Sequence, residues 1–187
     1  MSHVPTASQT VGPFFSIGLE RHYCAEIAEH GESGRRVLVR GRVLDGDGQP
    51  VPDAVLEVWS AGAGSVEGSS REKGSERKYP PGFARAATNE RGEFEFAGAK
   101  PAVLKHADGS IHSPHFVVVV FMRGLLRHLV TRLYFSDEPA NSEDVVMRMV
   151  PANRRATLVG TPDSENAERV FWDIHLQGEH ETVFFET

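Results

Sequence analysis

The segment HFVVVVF, residues 115–121, constrains the fold more than any other stretch of this sequence. Valine is β-branched and favours extended backbone over helix. Successive side chains of a strand point to opposite faces, so four consecutive valines place apolar groups on both faces of one strand. Such a strand cannot leave one face in water. The run therefore predicts a strand that is covered on both sides within a sheet-rich domain.

Further short strands are predicted between clusters of turn-forming residues. Val37, Val39 and Val43 alternate with more polar neighbours in RVLVRGRVL, and the turn DGDG follows at 45–48. Glycine tolerates positive φ and aspartate bonds its own backbone, so such clusters reverse the chain. The same combination predicts strands in VLEVW at 55–59, ATNERGEFEF at 87–96, HLVTRLYF at 128–135 and RVFWDIHLQG at 169–178. Short strands separated by turns predict a mainly β fold, a β-sandwich with long loops.

The chain divides into an arm and a domain. Residues 1–18 are rich in proline, glycine, serine and threonine and end near Phe14 and Phe15. Such a segment cannot build a core of its own, and two phenylalanines are costly to leave in water, at roughly 2 kcal/mol each. We therefore predict that residues 1–18 form an extended arm that docks on a partner, and that residues 19–187 form a single β-sandwich domain.

Two segments favour helix and one favours a long loop. LERHYCAEIAEH at 19–30 and SEDVVMRMV at 142–150 each predict a short helix, the second capped by Asn141 or Ser142. The polar stretch 61–82 predicts a loop of unusual length. Loops of that length serve binding or remain solvated, and both roles stay open here.

Charge and cysteine content limit the partners and the compartment. The net charge is −6 and no basic stripe stands out, so a nucleic-acid partner is not expected. No apolar run approaches the roughly 20 residues of a membrane span, so no membrane contact is expected. The start MSHVPTASQT lacks the pattern of a signal peptide, and Cys24 is the single cysteine, which rules out an intrachain disulfide. We therefore expect the chain in the cytoplasm.

No common catalytic motif is present. The sequence has no GxSxG, P-loop, CxxC or HExxH pattern, and its nine histidines are scattered. His115 begins the valine run, and His112 precedes it by three residues, a spacing with no strong preference for metal. A metal site needs several convergent donors. From the residues alone, His115 is better explained as a hydrogen-bonded structural residue than as a ligand.

Three motifs, in order along the chain, resemble those of the intradiol ring-cleavage dioxygenases. VRGRVLDGDGQPVPDAVLEVW at 39–59 is similar to the family pattern V.G.V.D..G.PV..A..E.W. TNERGEFEF with the later KPA is similar to T...G.Y.F...KPG, and HLVTRLYFSDEP is similar to L.TQ.YF..DP. The likeness runs from about Thr6 to the final strand. It implies a transthyretin-like β-sandwich and an enzyme that opens aromatic rings with O₂.

The opening TASQTVGPFF resembles the motif TPSQT.GP of the two-chain branch of this family, in particular of its α chains. In that branch, the resemblance implies, a homologous β subunit holds non-haem Fe(III) on two tyrosines and two histidines. The assembly, (αβ)n, cleaves protocatechuate (3,4-dihydroxybenzoate) between its hydroxyl-bearing carbons and yields 3-carboxy-cis,cis-muconate. The implied role is aromatic catabolism by the β-ketoadipate pathway.

The resemblance also locates the four ligand positions of the family in this chain. They correspond to Glu67, Leu104, His115 and Val117. Leu104 and Val117 are hydrocarbon, and one imidazole cannot hold Fe(III). The resemblance therefore implies that this chain binds no metal, that Fe(III) is bound by the partner β subunit, and that His115 is a structural relic.

Four residues are carried over as substrate-binding positions. Thr10, Gly12 and Pro13 match the arm that lines the mouth of the partner's active site, and Arg132 matches an arginine that reaches the substrate pocket. A guanidinium there would bind the carboxylate of protocatechuate by charge-assisted hydrogen bonds. No catalytic residue is expected in this chain alone.

Two other functions are considered. A self-sufficient dioxygenase would need an unusual ligand set such as His112, His115 and Tyr79, of which only His115 stands at a ligand position of the family. A transthyretin-like binding or adhesion module would share the first motif, but the TASQTVGPFF arm and the lack of a signal-peptide pattern argue against it.

Overall fold

The computed structural model describes residues 6–12, 14–27, 34–61 and 79–186. The strands within these ranges are β1 Arg36–Leu44, β2 Val55–Ser60, β3 Phe83–Ala87, β4 Glu93–Ala99, β5 Leu104–Lys105, β6 Ile111–His112, β7 His115–Phe121, β8 Leu129–Phe135, β9 Val159–Pro162, β10 Arg169–Phe171 and β11 Ile174–His175. The α-helices are α1 Phe15–Gly18 and α2 Val145–Met149, and single 3₁₀ turns cover Glu20–His22, Pro139–Ser142 and Arg155–Leu158.

Nine of the described strands form one sheet. Their order is β11-β1-β10-β9-β8-β7-β2-β3, with β4 also paired to β1. β1 runs parallel to β10 and β11 and antiparallel to β4. The pairs β2–β3, β2–β7 and β7–β8 are antiparallel. One group of strands is β1, β4, β10 and β11, and the other is β2, β3, β7 and β8. β9 joins the two groups because it pairs with β8 on one side and β10 on the other.

The two groups of strands face each other across one apolar core. That core combines side chains of β1 and β4 with side chains of β2, β7 and β8, among them Val39, Phe96, Leu56, Phe116 and Leu133. The predicted mainly β fold with two facing layers is therefore confirmed, and the layers belong to one nearly closed sheet.

The valine run forms β7, as predicted, but its two faces differ. Val118 and Val120 are fully buried in the core, whereas Val117 and Val119 are half-buried. The expectation that both faces are covered is met only in part, because only one face of β7 packs against the opposite layer. The second face is therefore partly accessible.

The segment RVFWDIHLQG contributes two short strands rather than one. Val170, Trp172 and Ile174 are buried on a common face, as the alternation predicts. The ladder continues between β10 and β11, since the Trp172 amide donates to the Arg40 carbonyl at 2.9 Å. A Cβ on Gly41 would lie 1.8 Å from the Trp172 carbonyl oxygen, so this close approach of two backbones requires glycine.

The helix expected over 19–30 is wrong in the part that the structure describes. Glu20–His22 makes one 3₁₀ turn, and the chain then extends. The Cys24 and Arg85 backbones exchange two hydrogen bonds of 2.9 Å, and Ile27 pairs with β4. Long-range pairing thus satisfies backbone groups that a helix would satisfy locally.

Two other expectations concern the long loop 61–82 and membrane-spanning segments. Most of the predicted loop 61–82 lies outside the described residues. None of the helices within the described ranges is long and apolar enough to cross a lipid bilayer.

Candidate functional site

Four side chains of β7 and β8 share the face of the sheet that lies away from the core. The ladder pairs His115 with Tyr134 and Val117 with Arg132. Residues two apart on a strand point to the same side, so all four lie together, and we call them the β7–β8 cluster. Trp59 of β2 lies beside Val117 in the next strand. The structure thus brings three of the sequence-predicted positions, His115, Val117 and Arg132, onto one surface.

His115 is a buried, neutral member of this cluster. It is 4% exposed, its Nδ1–H donates to the Ser113 carbonyl at 2.7 Å, and its ring centre lies 5.2 Å from that of Tyr134. Burial lowers the pKa of His115 from 6.5 to about 4, against the opposing effect of the Ser113 carbonyl. The imidazole is therefore uncharged at pH 7, with its proton on Nδ1.

The remaining ligand positions of the family do not supply metal donors in the described residues. Val117 is the cross-strand neighbour of Arg132, and Leu104 pairs with His112 in the small β5–β6 sheet. Glu67 lies outside the described residues. Within the described part of the chain, no group of three or more histidine, cysteine, aspartate or glutamate side chains has the geometry to hold a metal ion. These residues do not fit Fe(III), which needs several oxygen and nitrogen donors.

The alternative donors Tyr79 and His112 are engaged differently. The Tyr79 hydroxyl donates to the Arg21 carbonyl at 3.5 Å, and its ring lies 6.1 Å from that of Phe83. The His112 ring lies 6.2 Å from that of His115, and burial lowers the pKa of His112 as well.

Asp144 links the start of α2 to this region. Its carboxylate is fully buried and accepts from the Val146 and Met147 amides at 2.9 and 2.7 Å, so Asp144 is the N-cap of α2. The expected caps Asn141 and Ser142 are wrong, because the chain enters the helix two or three residues later. The signal in the sequence is an aspartate directly before the apolar VVM.

The same carboxylate binds the β7–β8 cluster. Its Oδ1 also accepts from the Tyr134 hydroxyl at 3.0 Å, and its Oδ2 accepts from the Ser113 amide at 2.8 Å. His112 Nδ1 lies 3.8 Å from Oδ2, and among the described residues it has no hydrogen-bond partner. Asp144 therefore ties together the turn before β7, the phenol of β8 and the helix. None of the family motifs described above includes Asp144.

Arg132 lies half-buried on the same face. Its Nη1 donates to the Tyr134 hydroxyl at 3.3 Å, and its guanidinium carbon lies 5.9 Å from the centre of the Phe185 ring. Burial raises the pKa of Tyr134 well above its usual value, so the phenol stays protonated. In the described part of the chain no carboxylate forms an ion pair with Arg132, so its charge is available to an anion.

The arm meets the far end of the same hairpin. Thr10 Oγ1 accepts from the Gly124 amide at 2.7 Å, in the turn between β7 and β8. Gly12 is exposed, and a Cβ there would meet nothing within 4 Å, so contacts inside this chain do not require glycine. Pro13 lies outside the described residues. Phe15 packs on Phe121 with ring centres 5.7 Å apart, whereas Phe14 is 77% exposed.

Comparison with known proteins now identifies the class. The family described as Dioxygenase matches residues 11–178 of this chain. The protocatechuate 3,4-dioxygenase alpha chain of Burkholderia cepacia is 39% identical over 195 residues, which cover 97% of this chain and 96% of that protein. The chain therefore belongs to the intradiol dioxygenase family.

Within the family, the likeness extends from end to end of two alpha chains. The alpha chain of Pseudomonas putida is 36% identical, with 97% of this chain and 96% of that protein covered. The protocatechuate 3,4-dioxygenase beta chain of B. cepacia is 29% identical over 80% of this chain and 67% of its own length.

Solved structures show the same fold. The 3-chlorocatechol 1,2-dioxygenase of Rhodococcus opacus 1CP superposes with a TM-score of 0.61 at 20% identity, covering 92% of this chain and 67% of that protein. An intradiol ring-cleavage dioxygenase of Tetranychus urticae gives 0.61 at 16% identity, covering 86% and 89%.

Proposed function

We propose that this chain is the iron-free alpha subunit of a protocatechuate 3,4-dioxygenase. With a homologous β subunit, in an (αβ)n assembly, it opens the ring of 3,4-dihydroxybenzoate with O₂ to give 3-carboxy-cis,cis-muconate. The observation that carries the proposal is the likeness to alpha chains over 96% of their length, against 67% for the beta chain. The reaction belongs to aromatic catabolism, and the single cysteine favours the cytoplasm.

The division of labour follows from the donors that this chain lacks. Leu104 and Val117 stand at two of the ligand positions, and a hydrocarbon side chain cannot bind a metal ion. Fe(III) is therefore supplied by the partner subunit.

The contribution of this chain is to bind and orient the substrate. Protocatechuate is a benzoate and is anionic at neutral pH. Arg132 is a half-buried cation that donates to a neutral phenol, so its guanidinium can turn its other N–H groups to the substrate carboxylate. Such a bond fixes the direction of the ring as well as its affinity.

The arm is the second contribution. Thr10, Gly12 and Pro13 line the mouth of the partner's active site, where the exposed glycine lets the backbone approach a ligand. The exposure of Phe14 supports a docked arm in the assembly, since a phenylalanine ring gains free energy when it is covered.

The test is to express the chain with and without a homologous β subunit, with the β subunit alone as control. We expect roughly one iron per αβ pair, and no stoichiometric iron in this chain purified alone, because it lacks the donors. O₂ uptake with protocatechuate should require both subunits. Roughly one iron bound per isolated chain, or full turnover by it, would contradict the proposal.

A further inference from the structure

We propose that Tyr134, held by Asp144, is a positioning residue that fixes the guanidinium of Arg132 for the substrate carboxylate. The inference rests on the proposed function, in which Arg132 meets that carboxylate. It adds two residues that lie outside the ligand positions matched to the family and outside the substrate-binding positions named above.

The first step is the fixed direction of the hydrogen bonds. A guanidinium only donates and a carboxylate only accepts. The Tyr134 hydroxyl bonds both, accepting from Arg132 Nη1 at 3.3 Å and donating to Asp144 Oδ1 at 3.0 Å. The phenol hydrogen therefore points to Asp144, and a lone pair of the oxygen points to Arg132. The order Arg132 to Tyr134 to Asp144 cannot be reversed.

The second step is the rigidity of the anchor. Asp144 and Tyr134 are both fully buried. The Asp144 carboxylate is held by the backbone amides of Ser113, Val146 and Met147, at 2.8, 2.9 and 2.7 Å. The Tyr134 hydroxyl, which accepts from Arg132, is therefore held in place by a carboxylate that is itself bonded to the turn before β7 and to α2.

The third step is the effect of restricting Arg132 on the affinity for the substrate. An arginine side chain has several rotatable bonds, and ordering them on binding reduces affinity. The bond to Tyr134 and the Phe185 ring restrict Arg132 before the substrate arrives. The phenol takes one of the five N–H donors of the guanidinium and leaves the rest for a carboxylate. Among the described residues no carboxylate forms an ion pair with Arg132, whose guanidinium is permanently charged, so that charge is available to the substrate carboxylate.

The experiment is a double-mutant cycle in the assembled αβ enzyme. Tyr134→Phe removes the hydroxyl, Arg132→Ala removes the guanidinium, and the double variant removes both. KM and kcat are measured with protocatechuate and with catechol, which lacks the carboxylate, and the Kd values of 4-hydroxybenzoate and phenol are measured by calorimetry. Iron content and melting temperature are recorded for every variant.

We expect Tyr134→Phe to raise KM for protocatechuate about fivefold, the effect of one lost hydrogen bond. Its kcat should stay nearly unchanged, and KM for catechol and the Kd of phenol should not move. In the Arg132→Ala background the same substitution should have no further effect, because the two residues then act as one unit.

The matched control is Thr131→Val. Thr131 is also fully buried on β8, its hydroxyl donates to the Val183 carbonyl at 2.8 Å, and its side chain lies on the opposite face of the strand from that of Arg132. The substitution removes one buried hydrogen bond and should lower the melting temperature without changing KM. An equal rise in KM for Thr131→Val would mean that general loosening, not positioning, explains Tyr134→Phe, and would overturn the inference.

A second variant covers the case in which Tyr134→Phe fails to assemble. Replacing Tyr134 by 4-aminophenylalanine keeps an N–H donor for Asp144 but offers Arg132 only a weak acceptor. We expect the same rise in KM for protocatechuate. If Arg132→Ala raises KM and both Tyr134 variants leave it unchanged, the positioning role is overturned while the proposed function stands. If Arg132→Ala itself has no effect, the substrate role of Arg132 fails, and the positioning role fails with it.

Discussion

Arg132 is half-buried, and in the described part of the chain its acceptor is a phenol rather than a carboxylate. Arg132→Ala in the αβ enzyme should raise KM for protocatechuate severalfold and spare catechol, because only the first carries an anionic group for the guanidinium. Steady-state kinetics with both substrates measures this. Arg148→Ala, which removes an exposed arginine of α2, is the control and should leave both KM values unchanged. An unchanged KM in Arg132→Ala would remove Arg132 from the site.

His115 makes stability depend on pH. Its folded pKa is lowered to about 4 by burial, below the value of 6.5 that applies in the unfolded chain. The unfolded chain therefore binds this proton first, so the contribution to stability is complete above pH 6.5 and is lost as pH falls toward 4. Between pH 7 and pH 5 the loss is about 2 kcal/mol of unfolding free energy.

Denaturant titrations of the chain at several pH values measure this loss. His115→Gln should flatten the decline between pH 7 and pH 5, whereas His128→Gln, which changes an exposed histidine on the same hairpin, should keep it. A decline as steep in His115→Gln as in the unsubstituted chain would contradict the assignment.

At the scale of single residues, the sequence predicts whether a side chain is buried better than it predicts the partner of that side chain. The structural role expected for His115 stays a prediction, whereas its burial, expected from its place before a buried run, is observed. The link from Tyr134 to Asp144 had no such signal. It joins the end of β8 to a helix cap ten residues later, through a loop whose path periodicity does not give.

The short helix α2 depends on one carboxylate. Asp144→Ala removes the N-cap and leaves the buried amide of Ser113 and hydroxyl of Tyr134 without their acceptor. Loss of a cap costs about 1 kcal/mol, and each unsatisfied buried group costs about 1–3 kcal/mol, so a total of several kcal/mol is expected. Ser142→Ala, at an exposed position that the sequence favoured as the cap, should change the free energy of unfolding by less than about 0.5 kcal/mol.

Equilibrium unfolding in denaturant measures both variants, and circular dichroism follows the helix. Equal losses in Asp144→Ala and Ser142→Ala would mean that the cap lies where the sequence suggested, not where the structure has it.

At the scale of elements, strands were predicted better than helices. Alternation and turn residues locate β1, β2, β4 and β8 because a half-buried strand repeats every two residues, and the continuous valine run locates β7. α2 has five residues, too few for a helical period to appear. The segment around Cys24 has helical spacing, yet it pairs with β3 and β4, and such tertiary contacts override weak local preference.

The arm and the domain can be separated by truncation. Residues 6–10 are exposed, and the hydrogen bond from the Gly124 amide to Thr10 joins the arm to the β7–β8 turn. Removal of residues 1–12 should change the unfolding free energy of the chain by less than about 0.5 kcal/mol, since residues 6–12 bury little surface. In the αβ enzyme it should lower kcat/KM severalfold, because the proposed mouth of the active site loses one wall.

Ser8→Ala is the control, because it changes an exposed residue of the arm that is not among the proposed substrate-binding residues, and it should leave both kcat/KM and the unfolding free energy unchanged. Kinetics of the assembled enzyme and denaturant unfolding of the chain are compared. A truncated chain that assembles and turns over normally would exclude a role for the arm at the active site.

At the scale of the whole molecule, the order of the motifs predicted the family and its β fold. It did not predict that the layers join through β9 into one nearly closed sheet, because parallel pairing between distant strands leaves no local pattern. Nor could it show that Val117 and Arg132 are cross-strand neighbours, since register depends on the turn as well as on alternation.

The parallel pairing of β1 with β10 and β11 affects the order in which the molecule can be completed. β1 is synthesised early, whereas its parallel partners Arg169–Phe171 and Ile174–His175 leave the ribosome late. This edge of β1 therefore stays unpaired until nearly the whole chain has been made. Contacts so distant along the chain slow folding, and an unmatched strand edge invites pairing with other chains. A ribosome that stops before Arg169 would therefore release a product prone to aggregate, however intact its valine-rich hairpin.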